Sequence, residues 1–193
     1  MNIAILLFPG FETLDVFGPV EVLSFMEDVK LYFLSVDGGL VRSTQGVEVM
    51  TIKAELCALS DVLLVPGGYG ARDLVTHRDF LELIRELSKV SRYVLSVCTG
   101  SALLAAAGVL DGRRATSNKR AWEWATSQSE LVTWVRRARW VEDGSFFTSS
   151  GVSAGMDMAL AFIARVEGGE KAEEIAHRIE YSWQRDSELD PFA

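Results

Sequence analysis

The residue best equipped for chemistry in this chain is Cys98. It sits in RYVLSVCTGSALLAAAG, where an apolar, β-branched run gives way to a helix of small residues. Small residues two before and two after it, Ser96 and Gly100, are what a sharp strand-to-helix turn requires. Such a nucleophile elbow lifts the side chain above the carboxyl edge of a sheet, at the amino end of the next helix. Helix-terminal N–H groups stabilise a thiolate there, so the context predicts a lowered Cys98 pKa and attack on an electrophilic carbon. The second cysteine, Cys57 in KAELCALSD, has no elbow around it and reads as a packing residue in a short helix. A disulfide between the two is not expected in a reducing compartment.

A cysteine nucleophile commonly pairs with a histidine base. The two histidines, His77 in DLVTHRDF and His177 in EEIAHRIEY, do not leave the carboxyl end of a strand and read as surface or interface residues. A carboxylate is the other option. Asp15 and Glu12 follow the first strand in FPGFETLDVFGP, so either could reach the rim where Cys98 is expected. A carboxyl beside a thiol in a partly apolar pocket titrates high and can carry a proton. The plainer alternative is that Asp15 or Thr13 caps the first helix. Backbone N–H groups at Thr99 and at the Gly67-Gly68 turn are candidates to receive developing negative charge.

The elements that must position these groups follow from the pattern. Strands are expected over Asn2–Phe8, Lys30–Val36, Val62–Val65 and Tyr93–Val97, with a short one at Ala115-Thr116. Hairpins are expected at Val41–Ser43 with Val47–Ile52, and at Trp140–Glu142 with Ser145–Thr148. Helices are expected over Thr13–Met26, Asp79–Lys89, Gly100–Ala107, Arg120–Thr126, Ser153–Val166 and Glu170–Trp183. Pro19 is acceptable in its helix only within the first turn. Apolar strands alternating with helices predict an α/β fold with a mostly parallel sheet covered on both faces. Ligands of such sheets sit at the carboxyl ends of the strands. Pro9-Gly10, Pro66-Gly67-Gly68 and Ser96–Gly100 all fall there.

Composition agrees. The 193 residues carry 19 Lys+Arg against 27 Asp+Glu, a net charge of −8, and are 49% hydrophobic. That is one domain, 1–193, able to bury a large core. The acidic balance argues against nucleic-acid binding. Two Cys and two distant His exclude a disulfide scaffold and a His-rich metal site. No signal peptide and no membrane span is read, so a cytoplasmic location is expected.

FPGFETLDVFGPVEVL, VPGGYGARDL, SVCTGSALLAAAGVLDGRRATS, FFTSSGVSAGMDMAL and the late RIEY together resemble the ThiJ/PfpI superfamily, nearest its isonitrile hydratase branch. The resemblance implies a flavodoxin-like three-layer sandwich of the class I glutamine amidotransferase type, with a nucleophile elbow. It implies Cys98 as nucleophile, Asp15 as its acidic partner and Thr99 as the third member of the site. It places Gly67, Gly68, Gly151 and Val152 around the pocket, and implies a homodimer acting on a small molecule without metal or organic cofactor. Where relatives often read ATTHW, this chain reads Ala115-Thr116-Ser117-Asn118-Lys119, with Asn118 in the histidine position. A Cys–His peptidase is therefore disfavoured. The implied reaction is hydration of an isonitrile to an N-substituted formamide. The alternatives are a ligand- or redox-sensing domain and a glyoxalase-like hydratase. The sensing domain would be related to the amino-terminal half of AraC-type regulators. A regulator proper is disfavoured because no helix-turn-helix follows before Ala193.

Overall fold

In chain order the computed structural model runs β1 (Asn2–Leu6), α1 (Thr13–Leu23), β2 (Lys30–Ser35), β3 (Gly39–Arg42), β4 (Glu48–Lys53), β5 (Val62–Val65), α2 (Ala71–Leu74) and α3 (Arg78–Val90). It continues β6 (Tyr93–Ser96), α4 (Gly100–Ala106), β7 (Arg114–Ala115), α5 (Trp122–Thr126), β8 (Thr133–Trp134), β9 (Trp140–Asp143), β10 (Phe146–Ser149), α6 (Ala154–Val166) and α7 (Gly169–Arg178). The structure describes residues 1–54 and 60–193, so the expectation for Cys57 lies outside the described residues.

Eight strands form one sheet in the order β3-β4-β2-β1-β5-β6-β10-β9. From β4 to β10 neighbours are parallel, and the outer strands β3 and β9 are antiparallel. The interior strands are apolar because both faces are covered; all four residues of β5 are buried. Helices α1, α6 and α7 pack together, while α4 joins α2 and α3. This is the expected flavodoxin-like three-layer sandwich.

Strand order reverses beside β1: its next strand in sequence pairs on one side and β5 on the other. That switch opens a crevice at the carboxyl ends of β1 and β5. Two glycine turns close against each other across it. Phe11 bridges Gly68, and Glu12 N donates to Gly67 O at 2.8 Å. A Cβ on Gly68 (φ 129°) would lie 2.3 Å from Gly10 O, so only glycine permits this approach.

Three expectations are corrected. Pro19 lies well inside α1 rather than in its first turn. Its ring packs on α6, where a Cβ on Gly155 would meet Pro19 Cγ at 3.1 Å. The last helix ends at Arg178, not Trp183. Glu180 takes φ 52°, and Tyr181 N returns to Ala176 O at 2.9 Å, a stop motif that normally announces itself with glycine. The first helix stops at Leu23 rather than Met26. The short elements α2 and β8 carry no sequence signal strong enough to predict them. Among the described residues no helix is long and apolar enough to cross a membrane.

Candidate active site

β6 delivers its chain to a turn in which Cys98 adopts φ 58°. A non-glycine residue held in the left-handed region needs outside support. The turn has it on both sides. Cys98 N donates to Ser150 O at 3.0 Å. Cys98 O accepts from the hydroxyls of Ser101 and Ser117, both at 3.1 Å. The expected tightness is real: a Cβ on Gly100 would lie 2.1 Å from Val65 O.

Asp15 stands at the third position of α1, fully buried, and caps nothing. Its Oδ2 accepts from Gly67 N at 2.8 Å, while Oδ1 is buried without a hydrogen-bond partner. Burial, with Glu12 nearby, holds the carboxyl up to about 8, against the opposing pull of the Gly67 N–H and the Cys98 thiol. A proton on Asp15 relieves the orphaned oxygen by turning it into a donor.

The expected low-pKa thiol is not what the fold provides. Cys98 is 6% exposed. Burial first, then the Asp15 charge, pushes its thiol well above the ordinary range. The N–H groups of Thr99 and Val152 and the Asn118 amide pull the other way and lose. Near a helix end, desolvation outweighs the dipole once the sulfur is this deeply buried.

Asn118 replaces the missing histidine with a donor of fixed aim. Its Oδ1 accepts from Arg120 N at 2.9 Å and Ala121 N at 3.0 Å, which leaves Nδ2 to donate to Cys98 Sγ at 3.1 Å. Gly151 stands directly behind: a Cβ there would meet Asn118 Nδ2 at 2.7 Å. Val152, at φ 34°, turns its N–H toward the sulfur.

The Gly67-Gly68 turn does not serve as the expected charge receptor. Gly67 N is taken by Asp15, and Gly68 N donates to Thr99 Oγ1 at 3.1 Å. Negative charge at the sulfur or on a bound atom would meet Thr99 N–H, Val152 N–H and Asn118 instead. His77 caps α3, accepting from Phe80 N at 3.3 Å through Nδ1.

A pocket of about 260 Å³ is bounded by Glu12, Gly68, Tyr69, Arg72, Cys98 and Thr99, then Asn118, Arg120, Ala121, Trp124 and Val152; Asp15, Gly67 and Gly151, expected around it, are not in its lining. Sequence reasoning missed Tyr69, Arg72, Arg120, Ala121 and Trp124. They lie on short segments after the glycine turn and beside Asn118, where no motif marks them. Among the described residues no group of His, Cys, Asp and Glu could hold a metal.

Comparison with known proteins agrees with this fold. Residues 1–165 match the model of the DJ-1/PfpI family. The chain is 37% identical over 183 residues to isonitrile hydratase of Pseudomonas putida, covering 94% of this chain and 79% of that protein. It is 32% identical to the HTH-type transcriptional regulator CdhR of Pseudomonas aeruginosa, covering 90% of this chain but about half (53%) of the regulator. Among solved structures, a ThiJ/PfpI family protein from Pseudomonas syringae superposes with a TM-score of 0.86 at 28% identity, covering 95% of this chain and 76% of that one. Drosophila melanogaster DJ-1beta shares the fold with a TM-score of 0.82 at 23% identity, covering 94% of this chain and 98% of that one.

Proposed function

The chain belongs to the DJ-1/PfpI family, and from that premise we propose that it hydrates isonitriles to N-substituted formamides through Cys98. The observation that carries this reading is the buried pairing of Cys98 with Asp15, a thiol and a carboxyl both held above their ordinary pKa values. The 37% identity to isonitrile hydratase supports it.

The active form of the pair has lost one of its two protons. In it Asp15 accepts the thiol proton as sulfur bonds to the terminal isonitrile carbon, then returns that proton to the same carbon. The product is a thioimidate, R–N=CH–S–Cys98. Asp15 next orients a water, which adds to this carbon. The tetrahedral adduct collapses, carbon–sulfur cleavage frees R–NH–CHO, and the proton returns to the thiol. Thr99 N–H, Val152 N–H and Asn118 stabilise charge at the sulfur. No metal or organic cofactor enters any step. The protein works in the cytoplasm as a homodimer, which sedimentation would show as twice the 21.3 kDa chain mass.

The test is turnover of aliphatic and aromatic isonitriles by the purified protein and by Cys98→Ala. Formamide from the parent alone is expected; no formamide from either overturns the proposal. A ligand-sensing role is the second reading, favoured by the likeness to the regulator CdhR. A metabolite retained on the purified protein without conversion would support it.

A further inference from the structure

The mouth of the Cys98 pocket is positively charged in a chain whose net charge is −8. Arg72 and Arg120 both line it. Among the described residues neither has a carboxylate within ion-pair distance; Arg85, Arg114, Arg136, Arg137, Arg139, Arg165 and Arg185 do, and Arg42, Arg78, Arg92, Arg113 and Arg178, which also lack one, are outside the pocket lining. Arg72 is held in place without one. Its guanidinium carbon lies 4.4 Å from the centre of the Trp124 ring, a cation–π contact that uses none of its N–H donors. Arg120 follows Asn118 by two residues, and its own N–H is bound to the Asn118 amide. Its base is thus anchored to the group that touches the sulfur.

The one carboxylate in the lining, Glu12, is already engaged: its Oε1 accepts from Gln45 Nε2 at 2.7 Å. Two arginines against one glutamate leave a single net positive charge at the entrance. A pocket of about 260 Å³ takes only a small molecule. Guanidinium forks match planar oxyanions in two-pronged geometry.

We infer that the pocket selects small molecules bearing a carboxylate, held by Arg72 and Arg120 at the mouth while the electrophilic carbon reaches Cys98. As a statement about turnover, this rests on the isonitrile reading: the substrate is an isonitrile that carries an acid group.

The test has two arms, and only one needs that reading. In the first, Cys98 is alkylated by iodoacetate and by iodoacetamide, the site being assigned by mass spectrometry. In each case sulfur bonds to the CH2 carbon, iodide leaves and the thiol proton goes to solvent. The iodoacetate-to-iodoacetamide rate ratio should exceed that of free cysteine at the same pH by about tenfold, the worth of one good charge pair. It should fall back in Arg72→Gln/Arg120→Gln, with the fold checked by circular dichroism, and fall further in Arg120→Glu. In the second arm, kcat/KM is measured for a carboxyl-bearing isonitrile and its methyl ester, and the acid-to-ester ratio should drop in the same variants. A parent alkylation ratio no higher than that of free cysteine, or one unmoved in the double variant, overturns the inference. Persistence of the iodoacetate preference when neither isonitrile is hydrated supports it, and removes only the isonitrile reading.

Discussion

The burial of Asp15 ties the stability of the fold to pH. In the unfolded chain its carboxyl titrates near 3.8, while the fold holds it to about 8. Between those values the unfolded chain has shed the proton and the native state keeps it. Native stability therefore falls as pH rises through that window, by up to roughly 1.4 kcal/mol per pH unit from this group. Asp15→Asn keeps a carbonyl for the Gly67 N–H and cannot ionise. Urea denaturation should show the variant gaining on the parent from pH 5 to pH 8; a constant difference would refute the assignment. Hydration by the parent should rise with pH toward a plateau with an apparent pKa of about 8, the value of the pair. Asp15→Asn should lose about a hundredfold or more in rate. Asn118→Asp would exchange the Nδ2 donor, 3.1 Å from the sulfur, for a negative charge, so alkylation of Cys98 should slow at neutral pH. That Cys98 and Asp15 come together was legible because each follows a strand in a local motif, whereas Thr99 entered with the family resemblance. The raised thiol was not, because burial is a property of the assembled fold. Nor was the Val152 N–H, since a β-branched residue at φ 34° runs against its own preference.

The elbow is the element on which the site depends. Its shape was readable because Ser96 and Gly100 are small where the chain turns sharply. Gly100→Ala tests how little room remains, since the added carbon would overlap Val65 O. The expected loss is at least about 3 kcal/mol, or failure to fold, read from thermal unfolding. A loss below 1 kcal/mol would mean that β5 and α4 can separate at little cost. The buried strands and both hairpins were legible from alternation and from the Asp143-Gly144 turn. The stop after α7 was not, because Glu180 occupies the left-handed position where glycine would have signalled it. Pro19 misled for a related reason. A helix interior normally rejects proline, but here the ring fills the space left by Gly155 on the facing helix.

At the scale of the whole molecule, a buried polar cluster ties the segment after α7 to the sheet. Arg139 Nε donates to Asp157 at 2.7 Å, and its guanidinium lies 3.8 Å from Asp190. Asp157 also accepts from Tyr181 and from Gln184 N, and Arg139 N donates to Ser187 O. Lys119, next to Asn118, approaches Asp190 at 3.7 Å, so the same cluster borders the site. Asp157 and Tyr181 lie in segments that carry the family resemblance, but nothing in the sequence joins them to Arg139 and Asp190, charges drawn together only by the fold. Arg139→Met would take the one paired cation from buried Asp157 and leave buried Asp190 with Lys119 alone, and should cost about 3–5 kcal/mol by denaturant titration; an unchanged midpoint would show that the cluster is solvated. The bond from Cys98 N to Ser150 O, finally, is an appointment in time. Contacts between distant parts of a chain close late in folding. Until β10 docks beside β6, Cys98 is an ordinary wet thiol, open to every electrophile and oxidant around it. The molecule is most vulnerable while it is being made, and completing the sheet narrows access to this thiol to what one small pocket admits.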